Sequence, residues 1–226
     1  YKLIRKSPKI FVGYSDITAL HCAFLTEARL ISFHGPMLNS DFAHPEMPDF
    51  TVQSFRRTLS LAPRPNTTLP FDISLGHQND KVRILRRGIA HGRLIGGNLS
   101  LLCSILGTPW QPNFKRRLLF LEDVGEPPYR FDRMLTQLLN AGLLQQVSGI
   151  AIGVNADCED PKSQTSKEYR QTLDAVLKDR LLALKVPVAA GLAFGHVPRN
   201  ATLPVGVRAT LDANRGVLSL AEFPVK

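Results

Sequence analysis

The chain has 226 residues, 44% of them hydrophobic and 21% charged, with a formal net charge of +9. That balance fits one large or two small soluble domains with a proper core. No apolar run approaches the ~18 residues that a helical membrane span requires, and because the chain begins at Tyr1 the lack of a leader peptide carries no weight.

Residues 9–12 (KIFV) predict a short strand ending at Gly13. After the turn Gly13-Tyr14-Ser15-Asp16, Ile17, Leu20 and Phe24 recur at helical spacing, so residues 17–28 predict a helix with Ser15 or Asp16 as its cap. Residues 30–33 (LISF) predict a strand stopped by Gly35-Pro36, residues 39–50 a loop, and residues 51–61 a helix. Three prolines between positions 63 and 70 predict a linker. Beyond it, residues 82–88 and 91–97 predict strands, and residues 98–106 a helix opened by Gly96-Gly97-Asn98. Residues 117–121 (RLLFL) predict a buried strand, residues 130–141 a helix ended by Gly142, and residues 147–154 another strand. Residues 168–184 predict an amphipathic helix; strand character returns at 186–191 and after Thr202. The alternation defines an α/β fold with antiparallel pairing near the end. The linker divides it into units 1–62 and 81–226, joined by residues 63–80.

Cys22, Cys103 and Cys158 are far apart, and with no CxxC pair they predict buried free thiols, neither a disulfide framework nor a metal site. The basic residues are scattered, and their densest groups, such as Lys115-Arg116-Arg117, are not interleaved with aromatics. They read as solvated surface, not as a nucleic-acid platform.

Ser15 lies on a tight strand-to-helix turn, where backbone N–H groups and the helix dipole favour a developing oxyanion. The segment reads G-Y-S-D-I, so the final glycine of a G-x-S-x-G elbow is absent. Read alone, Ser15 is an N-cap serine. A nucleophilic serine needs a base and an orienting acid. Of six histidines, His21 points elsewhere within its helix, His34 follows a strand and could line a cleft, and His44, His77 and His91 sit in polar loops or turns. His196 follows an apolar stretch in a glycine-flanked turn, where a scaffold presents a side chain. Glu122 and Asp123 end a buried strand, where α/β proteins bind ligands. The bland alternative there is an Asp123 cap with Glu122 solvated, and Glu126 is a further carboxylate in the same loop. Gly97 and Asn98 open a helix and could form an anion nest, although the pattern is neither GxGxxG nor a P-loop.

Four segments taken together resemble the LD-carboxypeptidase family of serine peptidases: FVGYSDITAL, RLIGGNLSLL, LLFLEDVGEPPYRFDRML and GLAFGHVPRNATLPVG, in the family's order. The resemblance implies Ser15 as nucleophile, the N–H of Asp16 as an oxyanion donor, Glu122 (not Glu126) as the catalytic glutamate and His196 as the base. It also implies a flavodoxin-like nucleophile domain and a C-terminal mixed β/α swivelling domain that opens at RLIGGNLSLL; the nest at Gly97 and Asn98 is the candidate substrate contact. The expected partner is a murein tetrapeptide in the cytoplasm, with no cofactor, no metal, no nucleic acid and no membrane; a homodimer is compatible. A branch of the family confers self-immunity by cleaving peptide–nucleotide antibiotics such as microcin C, for which Trp110, the sole tryptophan, would be the base-stacking candidate. A further alternative is an inactive module that binds wall peptides or nucleic acid. Family members carry strands, helices and a Gly-rich turn ahead of the nucleophile. A chain starting at Tyr1 is therefore expected to be truncated, with half of its oxyanion hole encoded.

Overall fold

A computed structural model describes residues 1–60, 82–160 and 171–225. The expected linker at 63–80, His77 and the start of the helix expected from 168 lie outside the described residues.

Two sheets carry the fold. The smaller contains β1 (Val12–Gly13), β2 (Ser32–His34) and β8 (Leu203–Val205), in the order β1-β2-β8. After the short helix α1 (Lys2–Lys6), β1 and β2 run parallel and are joined through helix α2 (Ile17–Ala23), which widens into a five-residue π-turn at Phe24–Ala28. β8 pairs antiparallel with β2, with Phe33 opposite Pro204. The segment beyond residue 82 therefore supplies a strand to the sheet of the first unit.

The larger sheet has seven strands in the order β10-β9-β4-β5-β6-β7-β3. These are β3 (Arg83–Arg86), β4 (Ile89–Asn98), β5 (Arg117–Glu122), β6 (Gly149–Gly153), β7 (Val188–Leu192), β9 (Arg208–Asp212) and β10 (Val217–Leu220). β4, β5, β6 and β7 run parallel, and the flanking pairs are antiparallel. This is the α/β class expected, including the antiparallel pairing near the C-terminus.

β5 sits at the centre because its side chains are apolar on both faces. Leu119 and Leu121 pack under α4 (Leu99–Ser104), α5 (Pro128–Asn140) and α6 (Leu173–Leu181). Leu118 and Phe120 pack on the other face, with Phe194, Leu203 and Leu211. Each such leucine stabilises the fold by about 2–5 kcal/mol relative to alanine. The three cysteines are buried and free.

The 39–50 segment departs from the expected loop. Leu38–Phe42 forms a helical turn, held by the Asp41 carboxylate accepting from the Met37 N–H and the Ser40 hydroxyl, and α3 (Asp49–Ser60) begins before residue 51. Among the described residues no helix is long and apolar enough to cross a membrane.

Candidate active site

Ser15 occupies the turn between β1 and α2 with φ 59°, in the left-handed region. That geometry costs a non-glycine residue roughly 1–2 kcal/mol. The turn is closed by Ile17 and Thr18 N–H groups donating to the Tyr14 and Ser15 carbonyls. Neither Ser15 nor Asp16 caps α2 with its side chain. Asp16 holds the N-cap position in helical geometry, so the expected side-chain cap is not formed. What remains is a partly exposed serine on a strained elbow, followed by the first amide of a helix.

His21 braces this elbow from beneath. Its Nε2 lies 2.9 Å from the Gly13 carbonyl, which can only accept, so Nε2 donates and Nδ1 accepts from the Ser32 hydroxyl at 2.8 Å. Burial lowers its pKa to about 4, against the pull of the Gly13 carbonyl, so the ring is neutral. His34, expected at a cleft, is instead fully buried against Phe120, Phe194 and Tyr14. The Tyr14, Phe120 and Phe194 rings packed on that face leave the imidazole no open surface.

Glu122 ends β5 and is fully buried, which removes the bland alternative of a solvated glutamate. Its Oε2 lies 2.7 Å from His196 Nδ1. Gly195 permits this approach: a Cβ there would press on the Val154 carbonyl at 2.6 Å and on Glu122 Oε2 at 3.2 Å. Nδ1 therefore carries the proton and Nε2 presents its lone pair. Burial acts to lower the His196 pKa, but the Glu122 hydrogen bond and charge, then Asp123 and Asp41, outweigh it and raise the value above 6.5.

Asp123 does the capping. It accepts from the Ser100 N–H and hydroxyl and from the Asn98 side-chain amide, while Asn98 Oδ1 caps α4 through the Leu101 N–H. Gly97 and Asn98, expected at the substrate, are buried in this joint. The Asn98 N–H donates to Thr18 Oγ1, and a Cβ on Gly97 would collide with that hydroxyl at 2.5 Å. They dock α2 onto β4. Glu126 pairs with Arg130 at the surface.

The Tyr14 ring meets the His196 ring edge-on, with centroids 4.7 Å apart, which brings the Ser15 turn to the base. The Ser15 hydroxyl has no hydrogen-bond partner among the described residues; catalytic contacts often tighten only once substrate is bound. A cavity of about 360 Å³ opens beside His196, walled by Tyr14, Asp41, His44, Glu46 and Met47. Trp110 is 44% exposed and does not line it.

Two elements of the site escaped sequence reasoning. Asp41 accepts from the Tyr14 hydroxyl at 3.3 Å and so joins the cavity wall to the elbow. α3 clamps the loop after His196. Thr51 Oγ1 donates to the Pro198 carbonyl and accepts from the Asn200 N–H, Ser54 Oγ accepts from the Thr202 N–H, and Thr58 Oγ1 donates to the Thr202 carbonyl. Hydroxyls at 51, 54 and 58 fall on one helical face; that spacing was the available signal. Among the described residues no group of three or more His, Cys, Asp or Glu side chains is placed to hold a metal ion.

The Ser15 elbow thus adjoins, through the Tyr14 ring, a histidine held by a buried glutamate, and serine, histidine and acid are the residue types that serine hydrolases combine. Residues 91–211 match the model of the LD-carboxypeptidase C-terminal domain and residues 1–35 that of its N-terminal domain, and the chain belongs to the LD-carboxypeptidase family. It is similar to a putative carboxypeptidase of Synechocystis, 41% identical over 94% of this chain and 64% of that protein. It is also similar to the microcin C7 self-immunity protein of Escherichia coli, 30% identical over 98% of this chain and 68% of that protein. Its fold matches the crystal structure of muramoyltetrapeptide carboxypeptidase from Oxalobacter formigenes with a TM-score of 0.79 at 33% identity, covering 96% of this chain and 70% of the other. The chain thus spans less than two thirds of the length of the Synechocystis relative.

Proposed function

We propose that the chain carries the catalytic centre of a serine LD-carboxypeptidase that releases the terminal D-Ala from murein tetrapeptides. The observation that carries this reading is the buried Glu122–His196 hydrogen bond facing the Ser15 elbow through Tyr14. Ser15 belongs to the unit 1–62, and Glu122 and His196 to the unit 81–226. His196 Nε2 takes the Ser15 proton as Oγ attacks the carbonyl of the L-centre. Glu122 stabilises the imidazolium, and the Asp16 N–H receives the oxyanion. Collapse breaks the C–N bond, and His196 returns the proton to the D-Ala amine. Water, deprotonated by the same nitrogen, then hydrolyses the acyl-serine.

Asp41 and Glu46 give the cavity beside His196 an acidic wall. That wall suits the free ammonium of a diamino acid next to the scissile bond, as in a murein peptide. A cytoplasmic location, where murein peptides would be recycled, is part of this proposed reading. Mass spectrometry of a murein tetrapeptide incubated with the protein tests the reading. Loss of D-Ala that disappears in Ser15→Ala, Glu122→Gln and His196→Ala supports it, and full activity in Ser15→Ala sinks it. Cleavage of a peptide–nucleotide conjugate with the tetrapeptide left intact would instead assign the self-immunity branch.

A further inference from the structure

A second cavity, of about 550 Å³, lies at the far end of the central strands from Glu122. Three arginines line it: Arg29 from the turn after α2, Arg93 from β4 and Arg117 from β5. Arg117 is the first residue of β5 and Glu122 the last, which separates the two ends by about 16 Å. The side chains of Leu25, Ile31 and Ile95 make the wall partly apolar.

The charges here are not balanced. Arg93 and Arg117 are direct register partners on adjacent parallel strands, so both guanidinium groups leave the same face of the sheet. Like charges placed opposite one another destabilise a sheet. Glu222 accepts from Arg93 at 2.6 Å and also pairs with Arg208, so its charge is already shared. Arg29 and Arg117 have no carboxylate partner among the described residues. Guanidinium groups converging on a cavity of this size are the usual means of holding phosphate or carboxylate groups by paired N–H donors.

We propose that this cavity is a binding site for a small anion bearing two or more negative charges, held by Arg29, Arg93 and Arg117, and separate from the cavity beside His196. The site does not depend on the reaction proposed above. The anion takes the place of the missing countercharge between Arg93 and Arg117, and the apolar wall accommodates a carbon skeleton.

Isothermal titration calorimetry with pyrophosphate and with citrate tests this, using the 226-residue chain and its Arg117→Gln and Arg29→Gln variants. Saturable binding near one per chain is expected, weakened at least tenfold by either substitution and unaffected by Arg56→Gln. Binding of pyrophosphate alone assigns a phosphate-bearing ligand, and binding of citrate alone a polycarboxylate. Absence of saturable binding for both at millimolar concentration overturns the proposal, as does binding that survives Arg117→Gln. A second readout does not need the ligand: relief of the like-charge pair in Arg117→Gln is expected to raise the melting temperature in anion-free buffer by about 1–3 °C. A fall in melting temperature there would show that Arg117 is already compensated and would overturn the argument.

Discussion

Glu122 Oε2 and His196 Nδ1 stand 2.7 Å apart although 74 residues separate them in the chain. The contact exists because β5 delivers a carboxylate to its C-terminal end and the turn after β7 brings an imidazole over it. Three consequences follow for the histidine: its tautomer is set, its Nε2 has no hydrogen-bond partner among the described residues, and its affinity for protons is raised.

The pH dependence of activity reports that affinity. His196 must be neutral to act as the base, so kcat/KM is expected to fall as pH drops through a value above 6.5. Glu122→Gln removes both the charge and the hydrogen-bonded carboxylate. The acid limb of the profile should move to lower pH while the maximum falls by about 10²-fold or more. An unmoved limb would show that another group controls it.

Stability carries the opposite signature at this pair. The folded pKa of His196 is raised, so the pair stabilises the fold fully below pH 6.5 and loses that contribution as pH rises through the folded value. For His21 the folded pKa is lowered to about 4, so its contribution is present above 6.5 and is lost as pH falls toward 4. His34 is lowered by burial in the same direction. Urea titrations at pH 7 and pH 4.5 should show acid destabilisation, with His21 alone contributing on the order of 3 kcal/mol by pH 4.

Ser15 should trade stability for chemistry. Ser15→Gly removes the Cβ penalty of a φ near 59°, and the relief is opposed by glycine's greater chain entropy. Thermal denaturation is expected to show a variant as stable as the parent or better by up to about 1 kcal/mol, with D-Ala release lost. A markedly destabilised glycine variant would mean that the elbow is not strained.

The α3 clamp should matter to both quantities. Thr51→Val leaves the Asn200 N–H and the Pro198 carbonyl without their partner, at a cost of about 1–3 kcal/mol in urea unfolding. The loop that carries His196 should loosen with it and kcat should fall. Thr51→Ser restores the hydroxyl and should recover most of both.

Asp41→Asn tests the acidic wall of the cavity. Tetrapeptides with a free side-chain ammonium should show a KM raised about tenfold, and those with the ammonium acetylated should be little affected.

Much of this was legible in the residues themselves. β5 could be read because four consecutive apolar positions, Leu118 to Leu121, admit no solvent-facing alternative, and the acids after it fall where a strand ends. The roles of Ser15, Glu122 and His196 rested on resemblance, because each alone reads as a cap, a solvated acid or a structural histidine. The clamp, the Asp41 link and the burial of His34 were not legible. The clamp and the burial of His34 depend on β8 crossing to β2, a pairing that strand character after Thr202 does not specify, and the Asp41 link depends on the helical turn at Leu38–Phe42. Asp123 serves the N-terminus of α4 beside the Asn98 cap, whereas no side chain caps α2.

The crossing of β8 has a further consequence for the order in which the molecule is made. Phe33 and Pro204 are neighbours in space but about 170 residues apart in the chain. During synthesis the edge of β2 therefore emerges long before its partner, while the parallel core of β4 to β7 can already assemble around Leu119. Closure of the small sheet becomes a late, non-local event. The nascent chain must keep the unpaired edge beside Phe33 from pairing with other chains until residues 203–205 leave the ribosome.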